Sequence, residues 1–344
     1  MNLEKLVRKN ILSLKPYSCA RNEFSGTATV WLDANENAYN NPYNRYPDPL
    51  QRRLKEKIAE LRGVAADRIF LGVGSDECID LTYCIFCRPG VDNVVAISPS
   101  YGMYEVCADI NDVEYRKAPL TADFGLDKET VLRLTDDNTK VVWICSPNNP
   151  TGNAFDRDDI ADICTRFGGI VVVDEAYIDF SSKGSMLEML DRFPNLIVMQ
   201  TFSKAWGSAA ARLGMAFASK EIIDIFNKVK YPYNINLLTQ NYALELLDRY
   251  GDIREWVRTL IAARDNLIGR LSELDCVEKI YPTDANFVLV KVTDANAIYR
   301  YLCDCGIVVR NRNSVEMCLN CLRITAGTES ENDQLIQTLA QYGK

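Results

Sequence analysis

A lysine that ends a buried strand, among hydroxyls and ahead of an arginine, is placed to act as a nucleophile beside an anion. Lys204 stands in Thr201-Phe202-Ser203-Lys204, directly after the apolar run Leu196-Ile197-Val198-Met199, and Arg212 follows eight residues later. Burial and cationic neighbours lower a lysine's pKa, and the neutral amine can then form a Schiff base with a carbonyl. Taken alone, the same placement also suits a solvated loop lysine. Three upstream segments add chemistry. Ile170-Val171-Val172-Val173 reads as a strand buried on both faces, with Asp174 at its carboxyl end as either a helix cap or a site carboxylate. Lys140-Val141-Val142-Trp143-Ile144 reads as a strand running into Cys145-Ser146-Pro147-Asn148-Asn149-Pro150-Thr151-Gly152, a turn by composition. Leu71-Gly72-Val73-Gly74-Ser75-Asp76-Glu77 reads as a strand, a glycine turn and a helix start. Free amides of Ser75 and Asp76 there would form an anion site, unless the segment is an ordinary capped helix.

In this order, and with Asp174-Glu175-Ala176-Tyr177 after the strand, these segments resemble the fold-type I pyridoxal-phosphate aminotransferases. The resemblance narrows to the histidinol-phosphate aminotransferases at Lys15-Pro16-Tyr17, Leu32-Asp33-Ala34-Asn35-Glu36-Asn37 and Asn44-Arg45-Tyr46-Pro47-Asp48. Pro99-Ser100-Tyr101-Gly102-Met103-Tyr104 and Cys321-Leu322-Arg323-Ile324-Thr325 extend it over nearly the whole chain. It implies an α/β protein: a three-layer α/β/α large domain with a mostly parallel seven-stranded sheet over 31–240, and a small α+β domain built from 1–30 with 241–344. It implies pyridoxal 5'-phosphate as cofactor, and histidinol phosphate with glutamate/2-oxoglutarate as small-molecule substrates. It also implies a homodimer in which Tyr46 reaches the partner's site.

Residue by residue, the resemblance assigns the cofactor aldehyde and the α-proton to Lys204, and the ring-nitrogen proton to Asp174. Asn149 and Tyr177 match groups that bond the ring 3′-oxygen, and Tyr101 the aromatic stacked on the ring. The cofactor phosphate falls to the Ser75 and Asp76 amides with Ser203, Arg212 and Thr201. Arg323, supported by Arg310, Tyr17 and Tyr46, takes the substrate's anionic end, and Asn35 approaches it. Two substrates alternating at one site require an arginine pair that accepts both phosphate and carboxylate. An aromatic amino acid aminotransferase and a threonine-phosphate decarboxylase-like enzyme share these core motifs. A retired ligand-binding protein on the same fold would have no need to retain both Lys204 and Asp174.

Composition narrows the chemistry. The chain contains no histidine, which excludes Ser-His-Asp and Cys-His nucleophilic pairs and any His-ligated metal. Acid–base work near neutrality must then use lysine, a carboxylate, tyrosine or a cofactor. A net charge of −8 argues against a nucleic-acid partner. No apolar run reaches membrane-spanning length and the first ten residues lack a signal-peptide core, so a cytoplasmic location is expected. Of twelve cysteines, Cys84/Cys87 and Cys318/Cys321 have CxxC spacing; both pairs read as core fillers rather than zinc ligands or disulfides.

The elements that must position these groups follow from periodicity. Strands are expected over 68–72, 93–97, 140–145, 170–174, 196–201 and 213–218, with helices over 76–87 and 101–109 between them. Such alternation implies a mostly parallel sheet whose sites form beyond the carboxyl ends of its strands, where Asn149, Asp174 and Lys204 fall. A helical stretch over 237–274, short strands over 286–292, 306–310 and 321–325, and a last helix over 331–342 complete the expectation.

Overall fold

The apolar runs form the centre of a seven-stranded sheet: β1 (Ile69–Val73), β2 (Asn93–Ser98), β3 (Glu114–Pro119), β4 (Thr139–Cys145), β5 (Ile170–Asp174), β6 (Leu196–Thr201) and β7 (Leu213–Phe217), in the order β1-β7-β6-β5-β4-β2-β3. The computed structural model in which they are seen describes residues 3–24, 26 and 28–343. Strands β3, β2, β4, β5 and β6 pair in parallel, and β7 runs antiparallel to both β6 and β1. Alternate residues of each strand serve opposite faces. Val171 and Val173 of β5 pack into one layer with Ile160 and Ile163 of the Arg157–Arg166 helix. Ile170 and Val172 pack into the other with Ile79 and Phe86 of the Gly74–Phe86 helix and Phe226 of the Lys220–Val229 helix. That two-sided burial is why these strands read as unbroken apolar runs. β3 has no such signature: it is an edge strand whose residues Glu114, Arg116 and Lys117 carry charge, as exposed edges commonly do.

The carboxyl-terminal part forms an antiparallel sheet of β8 (Val277–Ile280), β9 (Phe287–Val292), β10 (Arg310–Asn311) and β11 (Cys321–Thr325), in the order β10-β11-β9-β8. Its apolar face is covered by Leu267 and Leu271 of the Tyr250–Leu271 helix, Ile298 and Leu302 of the Ala295–Asp304 helix, and Leu335 and Leu339 of the Glu329–Leu339 helix. The last helix starts at a Thr328/Glu331 capping box, two residues before the expected start. The long helical stretch is two helices, Leu237–Asp248 and Tyr250–Leu271, broken at Arg249. The strand expected over 306–310 shrinks to the Arg310–Asn311 pair. Gly306, at φ +78°, closes the preceding helix, and the Ile307 amide is taken by the Leu302 carbonyl instead of a neighbouring strand.

The start of the amino-terminal arm departs from the expected assignment to the small domain. Val7 and Ile11 are buried in the large-domain layer with Phe86. Arg8 donates from its backbone amide to the Ile85 carbonyl and from Nη1 to the Cys84 carbonyl, and Lys228 Nζ donates to the Leu12 carbonyl. The physical reason is the apolar stripe Val7/Ile11, which finds its cover on the helices of the large sheet. Further along, Glu36 accepts from Arg21 (2.7 and 2.6 Å), Arg45 (2.8 Å) and the Tyr46 amide (2.5 Å). Desolvation would raise the Glu36 pKa, but these donors hold it down at about 2.

Two glycines permit the close packing of β7 on the first turn of the Gly74–Phe86 helix. A Cβ on Gly214 would lie 2.2 Å from the Ser75 amide nitrogen, and one on Gly74, at φ +71°, would lie 2.5 Å from an Arg212 guanidinium nitrogen. Gly214→Ala is therefore expected to cost about 1–3 kcal/mol, read as a lower urea midpoint. Gly251→Ala, whose Cβ meets nothing within 4 Å, serves as control. Equal midpoints for the two variants would show that the strand–helix approach is not tight.

Candidate active site

Beyond the carboxyl ends of β4, β5 and β6 lies a cavity of about 550 Å³. Ser75, Asp76, Tyr101, Asn149, Asp174, Tyr177, Thr201, Ser203, Lys204 and Arg212 all line it, as do Arg310 and Arg323 from the small sheet. The turn after β4 is fixed by Asn148, which is fully buried. Its Nδ2 donates to the Pro99 carbonyl (2.9 Å) and Thr151 Oγ1 (2.8 Å), and its Oδ1 accepts from Ser100 Oγ (3.0 Å). The neighbouring Asn149 is thereby held at the cavity wall. Its Oδ1 accepts from Arg323 Nη1, and its Nδ2 has no protein acceptor among the described residues.

Asp174 sits at the floor, 3% exposed. Oδ2 accepts from the Tyr104 hydroxyl (2.7 Å) and Oδ1 from the Ala176 amide (3.1 Å). Desolvation raises its pKa, and the Tyr104 and Ala176 donors oppose that rise without cancelling it. Tyr104 is itself wedged on Trp143 (ring centroids 4.9 Å, interplanar 14°), and Trp143 on Tyr83, whose hydroxyl donates to the Tyr104 carbonyl. A buried carboxylate that receives two neutral donors and no cation is suited to a cationic ligand group above it. Tyr104 belongs to a segment recognisable in the sequence, but its contact with Asp174 spans 70 residues, and no local pattern announces it.

Lys204 opens onto the cavity with Nζ 5.6 Å from the Tyr177 ring centroid. Desolvation by the walls, then Arg323, lowers its pKa against the pull of Asp174 and Asp76. Tyr177 is buried edge-on against Phe287 (5.1 Å), and its hydroxyl finds no protein partner among the described residues. Thr201 Oγ1 donates to Ser203 Oγ or the Leu213 carbonyl, and accepts from the Ser203 amide, which orients both hydroxyls on the loop. At this end the first-turn amides of Ser75 and Asp76 have no intrahelical acceptor. Arg212, in the left-handed region at φ 52°, reaches Asp76 Oδ2 at 3.0 Å, and Asp76 Oδ1 accepts from the Tyr101 hydroxyl at 3.1 Å. The Arg212–Asp76 contact is half-exposed, so the guanidinium remains available to a second anion.

At the opposite end the arginines meet no carboxylate among the described residues. Arg310 lies directly across from Arg323 in the β10–β11 pairing. Arg323 packs its guanidinium over the Phe287 ring at 5.2 Å, and its Nε is buried without an acceptor. A third arginine, Arg312, also lines the cavity, and its Nε is likewise orphaned. Sequence reasoning passed over Arg312; the available signal was its alternation with Arg310 along one strand direction. Among the lining residues five cations face two carboxylates, in a chain of net charge −8.

Three expected substrate contacts lie elsewhere. Asn35 and Tyr46 line a second cavity of about 550 Å³ with Tyr43, Tyr233 and Leu238, and Tyr46 stacks on Tyr233 at 4.4 Å. Tyr17 is 72% exposed. None of the three borders the cavity that holds Lys204. The arm that carries them is tied down by Glu36 and by Tyr233, away from that site. The cysteines of both CxxC pairs are free thiols; Cys87, Cys318 and Cys321 are buried and Cys84 is half-buried.

The sequence matches the family described as aminotransferase class I and II over residues 15–339. It is 55% identical over 341 residues to the histidinol-phosphate aminotransferase of Bacteroides thetaiotaomicron, covering 99% of each chain. It is 57% identical over 338 residues to that of Parabacteroides distasonis, covering 98% of each. The fold is similar to a crystal structure of histidinol-phosphate aminotransferase from Sinorhizobium meliloti in complex with pyridoxal-5'-phosphate (TM-score 0.78, 24% identity, 86% of this chain and 82% of that one).

The raised pKa of Asp174 has a stability consequence. Between the ordinary value of 3.8 and the raised one, the folded protein keeps a proton that the unfolded chain has lost. Stability therefore falls as pH rises through that window, and the deficit persists above it. In protein freed of small molecules, Asp174→Asn is expected to be more stable than wild type at pH 8, with the gain vanishing toward acid pH. Thermal midpoints across pH measure it, and a variant less stable than wild type at pH 8 would contradict it.

Proposed function

The chain belongs to the class I and II aminotransferase family, and we propose that it transfers the amino group of L-histidinol phosphate to 2-oxoglutarate. The products are imidazole acetol phosphate and L-glutamate, and the reaction is a step of histidine biosynthesis. The names of relatives 55% and 57% identical over the full length support histidinol phosphate as the amino donor. The observation that carries the reading is one cavity with a pKa-depressed lysine, a buried carboxylate lacking a cation, and arginines lacking carboxylates.

These residues fit pyridoxal phosphate. When bound, it supplies an aldehyde that holds the substrate amine and a ring that accepts the electron pair left at the α-carbon. Asp174 would keep the ring nitrogen protonated, which accounts for a carboxylate buried with neutral donors only. Asn149 Nδ2 and the Tyr177 hydroxyl, both without protein acceptors among the described residues, would hold the ring oxygen. Tyr101 would cover a ring face and confine the reacting plane. The Ser75 and Asp76 amides, Ser203, Thr201 and Arg212 would hold the phosphate. Lys204 Nζ, whose pKa is lowered by its surroundings, takes the proton from the substrate α-carbon and returns it. Arg323 with Arg310 binds the substrate's anionic end.

Tyr17, Asn35 and Tyr46 enter this scheme through a partner subunit. Three large hydrophobic residues that line the second cavity, Tyr43, Tyr46 and Leu238, are exposed. Such a surface is suited to a symmetric dimer interface. We assign the protein to a homodimer in which Tyr46 completes the neighbour's site, and to the cytoplasm. Among the described residues no helix is long and apolar enough to cross a membrane.

Lys204→Ala is expected to abolish both half-reactions while keeping the wild-type fold by circular dichroism. In the wild type, borohydride should fix the cofactor to a peptide containing Lys204; a label on another lysine would refute the assignment. Tyr46→Ala should impair turnover of histidinol phosphate. Remixing it with Lys204→Ala subunits should restore roughly a quarter of wild-type activity, because each hybrid dimer holds one intact site. No recovery on remixing, with exchange verified by mass, would show that Tyr46 serves its own subunit or none.

A further inference from the structure

Arg312 is the charged residue of the cavity to which the reaction outlined above gives no task. Its amide donates to the Cys321 carbonyl (2.9 Å), continuing the β10–β11 pairing past Arg310 and Arg323. Period-two alternation puts Arg310 and Arg312 on one face of this edge, so three guanidiniums meet at one end of the cavity. None of the three forms an ion pair among the described residues, and the Arg312 guanidinium has no hydrogen-bond acceptor there. Desolvation, then Arg323 and Arg310, pushes the Arg312 pKa down to about 10. Like charges set against each other in a half-buried wall destabilise the strand pair that carries them. The arrangement becomes favourable when an anion with enough charge and oxygens occupies it.

The two anionic groups assigned to this site differ in both respects. A carboxylate has two oxygens and one charge, and Arg323 with Arg310 saturates it through planar forks. A phosphomonoester has three free oxygens and a charge of about −1.5 to −2 at neutral pH. We propose that Arg312 is a specificity-determining residue: it binds the third phosphate oxygen, and so makes the shared site favour the phosphorylated amine over the dicarboxylic partner. This rests on the assignment of both substrates to the Arg323 site. The rival role is structural, through the Val315 amide on the Arg312 carbonyl, which orders the loop over the cavity.

The test compares holoenzyme carrying Arg312→Gln or Arg312→Lys with wild type. A charge-assisted hydrogen bond lost to glutamine corresponds to roughly a ten- to hundredfold fall in kcat/KM for histidinol phosphate. The glutamate half-reaction should fall by a much smaller factor, and lysine should recover part of the loss. Calorimetry with glycerol 3-phosphate and with glutarate reads the same preference without turnover. Wild-type affinity for glycerol 3-phosphate should rise with pH as the second phosphate proton leaves near about pH 6, and the rise should be shallower in Arg312→Gln. The groups facing Arg312 are Arg310, Arg323, Tyr177 and Cys318. The thiol is pushed up to about 12 and the phenol is also raised, so neither changes charge in that range. Equal losses for phosphate and carboxylate ligands, or no loss for phosphate, would overturn the proposal. If the wild type does not turn over histidinol phosphate, the substrate assignment fails, while the glycerol 3-phosphate and glutarate affinities still decide the role of Arg312.

Discussion

A carboxylate taken out of water, with nothing cationic bonded to it, is the condition around which the rest of this molecule is arranged. Asp174 ends the central strand β5, where the sheet is covered on both faces and water is excluded. Its two protein donors are neutral, and one of them, Tyr104, is held in place by stacking on Trp143. The column of aromatic rings under the site thus acts as a rigid mount. It fixes a carboxyl group in a low-dielectric setting before any ligand arrives, which is where its charge, once a cationic group is bound above it, has the greatest effect. The same desolvation that makes Asp174 useful makes it unfavourable for the empty fold, so stability and chemistry are opposed at this residue.

The remaining charges are distributed so that anions are drawn to two separate places. At one end, helix amides and Arg212 face the cavity beside β7, and the approach depends on Gly74 and Gly214 having no side chains. At the other, β10 and β11 bring arginines together from the small domain. Asn149 connects the two regions, since its Oδ1 accepts from Arg323 while it sits on the large-domain wall. Further hydrogen bonds join the domains around the same turn, from the Ala154 amide to Asp284 and from the Asp284 amide to the Gly152 carbonyl. An acidic chain repels anions overall, and the local surplus of cations makes this cavity the exception.

Much of this was legible from residue order. The two-sided strands β4, β5 and β6 announce themselves by unbroken apolar runs, and each ends in a residue of the site. What escaped is what depends on partners distant in sequence. The charged edge strand β3 lacks an apolar pattern because it has a strand neighbour, β2, on one side only. The short β10 could not be separated from the helix stop at Gly306, because both occupy the same few residues. Arg312 resembles any surface arginine until β11 is laid beside it, and Tyr104 resembles any core tyrosine until Asp174 is found 70 residues away. The short apolar stripe Val7/Ile11 does not specify in sequence which of two domains it covers, and it lies on the large-domain layer.

The reversal of β7 has a further effect. Thr201 of β6 pairs with Gly214 of β7, and the Phe202 amide bonds the Leu213 carbonyl, so the segment bearing Lys204 and Arg212 is a loop tied at its base. Inner bonds from Ser208 to Phe202 and from Gly207 to Lys204 tighten it further. The entropy of closing this loop is spent when the sheet forms, not when a ligand enters. The backbone positions from which Lys204 and Arg212 reach into the cavity are therefore set by a hairpin. An insertion or deletion between the two residues would move both anchors at once, which makes the length of this loop as much a part of the site as the groups it carries.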